Sequence, residues 1–209
     1  MIFRASQIGN LMTPPKKKSE DLSVGTKSYI RELVKQDFFG YQKQLDMKAI
    51  KKGIHYENES IKLLNKVRKT KHVKNTERRF NHCVTGEPDI ITISSIIDIK
   101  TSWSLETFPA TPSDVKAQQI KIYEWQLRAY MMLFEKPSAE LIFCMIDTDD
   151  EFLNDYDNLQ IHKVSHIKPS KRITVLNYTR DTMKEDMISE RLNVCSDYYF
   201  KYFNELKNK

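Results

Sequence analysis

The stretch from Glu87 to Thr101 does most to limit what this chain can fold into. Pro88-Asp89-Ile90-Ile91-Thr92-Ile93 and Ile96-Ile97-Asp98-Ile99-Lys100-Thr101 are two isoleucine-rich runs on either side of Ser94-Ser95. Runs of this length and composition with a short polar break read as two strands of a hairpin. With Ser94-Ser95 as the turn, Ile93 pairs with Ile96, Ile91 with Asp98 and Asp89 with Lys100. Side chains alternate faces along a strand, so Asp89, Asp98 and Lys100 project from one face. Opposed residues have Cβ atoms ~5 Å apart and diagonal ones ~7–8 Å. Two carboxylates and a lysine thus converge at a separation that a divalent cation can bridge. A plain Asp89–Lys100 salt bridge, with Asp98 standing apart, is the alternative. Such bridges contribute little, and charged groups gathered on an apolar ladder are expected where chemistry is done.

The remaining pattern fits one α/β domain over residues 1–209, with a central mixed sheet flanked by helices. Helical patterns cover about 26–38, 46–70, 113–135 and 182–206, and strand-like runs cover 71–101, 141–146, 159–167 and 172–178. The last helix opens on Thr182 and Glu185 in capping-box form. Its apolar positions are Met183, Met187, Val194, Tyr198, Tyr202 and Leu206. Only 5 glycines occur, which leaves little for a glycine-rich phosphate loop. Cys83, Cys144 and Cys195 are odd in number and far apart, so they form neither a disulfide framework nor a metal spacing. Free thiols fit a reducing cytoplasm. No apolar run approaches the ~20 residues that span a bilayer, and Met1-Ile2-Phe3-Arg4 lacks a signal-peptide core.

Charge is unevenly distributed. Residues 1–80 hold 19 basic and 8 acidic side chains, and residues 81–209 hold 15 and 20. A basic first third points to a polyanion such as nucleic acid, and it equally fits a solvated lysine-rich surface. The segment 147–157 carries six carboxylates and is expected to lie away from any polyanion.

Two further polar residues interrupt apolar patterns. In the second helical stretch, Ile50, Ile54, Ile61 and Leu64 share a face, and Glu57 fills the gap among them. A carboxylate inside an apolar stripe is costly unless paired or bound to a cation; the alternative is a Glu at the stripe's edge reaching water. In the third, Tyr123, Gln126, Leu127, Tyr130, Leu133 and Phe134 share a face with Gln126 the odd polar member, which a core amide bonded to backbone would also explain.

Pro88-Asp89 followed by Asp98-Ile99-Lys100 fits the PD-(D/E)xK nuclease pattern. Gly53-Ile-His-Tyr56-Glu57-Asn58-Glu59 resembles the helix-borne Gly-x-x-Tyr-Glu-Asn segment of phage lambda-type exonucleases, the YqaJ-like viral recombinase family. Gln126-Leu-Arg-Ala-Tyr130 resembles the Gln-apolar-x-x-Tyr motif of that family and of RecB-type nucleases. Ala5-Ser6-Gln7 resembles the segment that opens the family's core. The four occur in the family's order across residues 5–134.

The resemblance implies a restriction-endonuclease-like core and metal-dependent hydrolysis of DNA. Glu57, Asp89, Asp98 and the Ile99 carbonyl would hold Mg²⁺, two ions in all, with Mn²⁺ able to substitute. Lys100 would orient or deprotonate the attacking water, and Gln126 would position that water or the lysine. Hard oxygen ligands suit these metals, and a lysine beside metals and a hydrophobic sheet can have its pKa lowered toward a useful range. Arg4, Ser6, Trp103 and Tyr130 are the candidate DNA contacts. Trp103 could stack on a base, or be an ordinary packed indole, and Ser6 could simply cap a helix.

The family's serine two residues before the metal-binding aspartate is Glu87 here, which would repel a phosphate. Its upstream basic residue has no counterpart; Arg4 or the Lys16–Lys18 tip would stand in. The family further implies a 5′ to 3′ exonuclease on linear double-stranded DNA ends, a homotrimer, and a single-strand annealing protein as partner in phage-type recombination. A RecB-like or restriction-type endonuclease, and a silent DNA-binding scaffold, are the competing readings.

Overall fold

The computed structural model describes residues 1–43 and 47–209. In chain order the elements are β1 (Phe3–Arg4), α1 (Ile8–Leu11), α2 (Val24–Phe39), α3 (Lys48–His55), α4 (Glu57–Arg68), β2 (Arg79–Phe80), β3 (Val84–Gly86), β4 (Ile90–Ile91), β5 (Ser95–Thr101), α5 (Ala117–Phe134), β6 (Ser138–Cys144), α6 (Leu159–His162), β7 (Ile173–Thr179) and α7 (Thr182–Lys207). The fold is α/β, with two sheets rather than one. A four-stranded mixed sheet runs β4-β5-β6-β7, and a small one runs β1-β3-β2. In the larger sheet β5 and β6 are parallel, and β4 and β7 flank them antiparallel.

Each face of the larger sheet has its own helix. Ile97 and Ile99 pack with Ile142, Cys144 and the α4 residues Ile61, Leu63 and Leu64. Alternation sends Ile96, Leu141 and Phe143 the other way, against Leu127, Tyr130 and Met131 of α5. Asp98 and Lys100 share that second face. Gly9 lets α1 approach α5 closely, since a Cβ there would lie 2.6 Å from the Ile122 backbone. On the far side α7 packs against α2 and α5 through Ile188, Leu192, Cys195 and Tyr199.

The structure corrects several sequence expectations. The turn of the first hairpin is Ile93-Ser94, because Thr92 closes it: Thr92 N donates to Ser95 O at 2.9 Å and Ser95 N to Thr92 Oγ1 at 2.8 Å. Ile90 then pairs with Ile97 and Ile91 with Ile96. The register moves by two residues, which preserves the face but sets Asp89 against Asp98 instead of Lys100. The stretch 46–70, whose first residue lies outside the described residues, is two helices that break at Tyr56. The buried residue of α3 is Lys52, while Ile54 is 73% exposed, so the Ile50–Ile54 stripe does not enter the core. Residues 159–162 are helical rather than extended. α7 is capped by Asp181, whose carboxylate accepts from Lys184 N, and its buried line is offset from the expected one, leaving Met183 and Met187 exposed.

Candidate active site

The expected site residues meet in a cleft of about 510 Å³ at the edge of the larger sheet. Glu57, Asp89, Asp98, Ile99, Lys100 and Gln126 all line it. Each arrives from a different part of the fold. Asp98, Ile99 and Lys100 lie on the central strand β5 and Gln126 on α5. Glu57 opens α4, and Asp89 precedes the short edge strand β4. α4 is fixed to β5 by the Ser60–Thr101 hydroxyl pair at 2.9 Å.

Asp98 is almost fully buried. Its Oδ1 accepts from Gln126 Nε2 at 3.1 Å, and its Oδ2 lies 2.7 Å from Lys100 Nζ. Gln126 Nε2 also donates to the Tyr130 hydroxyl at 3.1 Å. The β4 ladder stops at Ile90, and Asp89 takes over its backbone role: Asp89 Oδ2 accepts from Ile99 N at 2.5 Å. In an extended strand a residue's N–H and C=O point the same way, so the Ile99 carbonyl also faces Asp89. Lys100 Nζ sits 5.0 Å from the centre of the Tyr123 ring.

Burial, then the facing Asp98, pushes Asp89 up to about 7, with Lys100 and the Ile99 N–H acting against this. Burial alone would lower the Lys100 ammonium, but Asp98 and Asp89 outweigh it and raise the group above its ordinary value. The charges that the protein itself sets around Lys100 are carboxylates, which hold its proton.

The donor set suits a hard divalent cation. Glu57 Oε1 is buried without a hydrogen-bond partner among the described residues. Asp98 Oδ2 accepts no well-aligned hydrogen bond despite its ammonium neighbour. Buried carboxylate oxygens left in this condition are costly unless a cation completes them.

The other expected contacts are placed less centrally. Tyr130 is 5% exposed, and its ring lies so close to Gly86 that a Cβ there would come within 2.7 Å of it. It lines the cleft beside Gln126, from whose amide it accepts a hydrogen bond. Trp103 lines the cleft but is half-buried, edge-on to His162 at 5.2 Å. Arg4, which ends β1 of the small sheet, and Ser6 just after it are exposed and do not line the cleft. Glu87 is paired with Arg78 at 3.0 Å, which offsets the charge expected to repel a phosphate.

Two lysines escaped the sequence reading. Lys52 is fully buried and donates to Trp103 O at 2.9 Å and Ile146 O at 3.0 Å. Lys74 pairs with Glu57 Oε2 at 2.8 Å. Neither has a spacing signal, since each is one lysine among many. Outside the cleft, exposed His55, Asp149 and Glu151 bring possible ligand atoms within 4.8 Å of one another. A larger cavity of about 600 Å³ between α1, α5 and α7 contains none of the cleft's carboxylates.

No protein-family model matches the chain, and neither does any curated protein. Solved structures do. A phage-related exonuclease from Haemophilus somnus is 31% identical, with a TM-score of 0.92 over 99% of this chain and 96% of its own. The alkaline exonuclease LHK-Exo of Laribacter hongkongensis is 14% identical, with a TM-score of 0.66 over 98% of this chain and 91% of its own. Its complex with dAMP gives a TM-score of 0.65 at 14% identity, over 99% of this chain and 92% of its own. The second and third likenesses carry the fold; the first, full-length and above 30% identity, carries the family. With the PD-(D/E)xK residues gathered in one cleft, the chain belongs to the phage lambda-type exonuclease family.

Proposed function

We propose that residues 1–209 form a single nuclease domain that hydrolyses phosphodiester bonds of linear double-stranded DNA from its ends, 5′ to 3′. The observation that carries this reading is the convergence of Glu57, Asp89, Asp98, Lys100 and Gln126 on one cleft, where the buried Glu57 Oε1 has no hydrogen-bond partner among the described residues. Glu57, Asp89, Asp98 and the Ile99 carbonyl hold the divalent cation, Mg²⁺ by preference and in two sites, with Mn²⁺ as substitute. Such ions neutralise phosphate charge and activate water. The protein's own groups do the rest. Lys100 donates to the attacking water or to the oxygen that gains charge. Gln126 holds the Asp98 carboxylate in a fixed plane, and Tyr130 holds Gln126.

The partners follow from the same reading. The substrate is a double-stranded DNA end in the cytoplasm, with Arg4, Ser6 and Trp103 flanking its path. The product strand passes to a single-strand annealing protein in phage-type recombination, and three copies of the chain surround the duplex. No helix among the described residues is long and apolar enough to cross a membrane.

The test is digestion of linear duplex labelled at the 5′ or 3′ end, with and without a 5′-phosphate, beside a covalently closed circle, all in Mg²⁺. Early loss of the 5′ label with intact circles is the expected result. Rapid cutting of circles replaces the exonuclease with an endonuclease. Wild-type activity no greater than that of Asp98→Ala leaves a DNA-binding scaffold.

A further inference from the structure

The loop between α4 and β2 pairs a cation with a cleft carboxylate, a contact that phosphodiester hydrolysis does not call for. Lys74 Nζ lies 2.8 Å from Glu57 Oε2, while Glu57 Oε1 stays buried and without a hydrogen-bond partner among the described residues. The loop is held on both sides of Lys74. Before it, α4 ends at Lys69 in a left-handed turn with φ 55°, and Asn65 clamps that turn. Asn65 Oδ1 accepts from His72 N at 2.8 Å and from Thr70 Oγ1 at 2.9 Å, and Nδ2 donates to His72 O at 2.8 Å. After it, Asn75 N donates to Asp89 O at 2.7 Å and Asn75 Nδ2 to Pro88 O at 3.0 Å. The ammonium is thus anchored one residue from a backbone bond to Asp89. The Lys74 side chain is 44% exposed, so it retains a path to solvent.

We propose that Lys74 is an internal stand-in for the metal. It neutralises Glu57 until a divalent cation takes that carboxylate, and the released ammonium then faces the DNA backbone beside the cut. This rests on the reading of Glu57, Asp89 and Asp98 as metal ligands. Lys74 is a positioning residue in this scheme and makes or breaks no bond. A half-exposed ion pair is weak enough for a dication to displace, yet it gives Glu57 a counter-charge as Lys100 gives Asp98 one. In the DNA-bound enzyme the same charge becomes a phosphate contact, which adds to affinity by counterion release.

The test is Mn²⁺ binding without DNA, read as loss of the free-ion electron paramagnetic resonance signal. Lys74→Met is expected to bind Mn²⁺ about two- to fivefold more tightly than wild type, with the gap closing at high salt. Lys74→Arg stays at the wild-type value. Lys74→Gln repeats the comparison if the Met variant does not fold. In a Lys100→Ala background, where cutting does not intervene, adding Lys74→Met lowers the salt slope of DNA binding by about one. Unchanged or weaker Mn²⁺ affinity in Lys74→Met overturns the stand-in, and an unchanged salt slope overturns the handover to phosphate. Asp98→Asn separates this from the underlying reading. If Asp98→Asn binds Mn²⁺ as wild type does, the metal centre itself is wrong. If it loses Mn²⁺ while Lys74→Met matches wild type, the metal centre stands and the Lys74 proposal falls.

Discussion

Gln126 fixes one oxygen of Asp98 from α5 while Lys100 holds the other: Gln126 Nε2 stands 3.1 Å from Oδ1, and Lys100 Nζ stands 2.7 Å from Oδ2. The carboxylate is therefore oriented from both ends before any ligand arrives. Gln126→Leu removes a hydrogen bond to a buried charged group, an interaction worth ~1.5–3 kcal/mol. A fall in kcat of roughly tenfold or more is expected, with little change in KM for DNA. Initial rates on a linear duplex in Mg²⁺, with a melting curve to establish folding, check it. Unchanged kcat in a folded Gln126→Leu enzyme removes Gln126 from the site.

Lys100 projects into the cleft beside two carboxylates, and its charge is one among many on a chain with 34 basic residues. Lys100→Ala is expected to reduce turnover to background and leave DNA affinity within about twofold, because one lysine contributes little to polyelectrolyte binding. Rate and filter-binding measurements on the same duplex test this. Parallel losses in both make Lys100 a DNA contact instead.

The site was legible in the sequence because its chemistry needs charged residues at fixed spacing on an apolar strand. Asp89, Asp98 and Lys100 share a face even though the turn is Ile93-Ser94 rather than Ser94-Ser95. Thr92 closes the turn with its own hydroxyl, an option that the pattern Ile93-Ser94-Ser95 does not display. The register differs by two residues, so alternation keeps the three side chains on one face. The α3–α4 break was not legible, because Tyr56 continues a helical pattern. Its reason is tertiary: the Tyr56 hydroxyl accepts from Asp149 N at 2.8 Å, from a loop 93 residues away. The charge division between the two parts of the chain hinted at a polyanion, but not that Lys74 would sit on Glu57. Ion pairs across long loops leave no periodicity to read.

Asp89 makes the protein's stability depend on pH in the absence of metal. Its carboxyl, pushed up to about 7 by burial and by Asp98, ordinarily titrates near 3.8. Between those values the folded protein holds a proton that the unfolded chain has released. Stability from this group therefore falls as pH rises from about 4 to about 7, and the full cost is present above 7. Asp89→Asn in EDTA is expected to melt above wild type at pH 8, by about 2–4 °C for each kcal/mol relieved, with the gap closing near pH 4. Added Mn²⁺ reverses the order, because it binds the folded wild type. Equal melting at pH 8 in EDTA contradicts the assignment.

Lys52 gives the opposite slope in a different window. Burial pushes its ammonium down to about 8, against a raising influence from Asp147, and nearby His162 lies below its own ordinary value, outside this window. An unfolded lysine titrates near 10.5. Between about 8 and 10.5 the unfolded chain holds the extra proton, so this group's contribution to stability rises with pH and its cost is complete below 8. Lys52→Met keeps the length of the side chain and removes the titration. Urea midpoints at pH 7, 8.5 and 10 should show wild type gaining on Lys52→Met by on the order of 1–3 kcal/mol across the series. The variant also frees the carbonyls of Trp103 and Ile146, which tie α3 to the ends of β5 and β6. Ile50 and Ile54 of α3 line the cleft. Loss of this anchor is expected to raise KM for DNA more than it lowers kcat, because the cleft carboxylates Glu57, Asp89 and Asp98 lie outside α3. A difference between the two proteins that stays flat from pH 7 to 10 shows that Lys52 is not held neutral at alkaline pH, whatever its effect on KM.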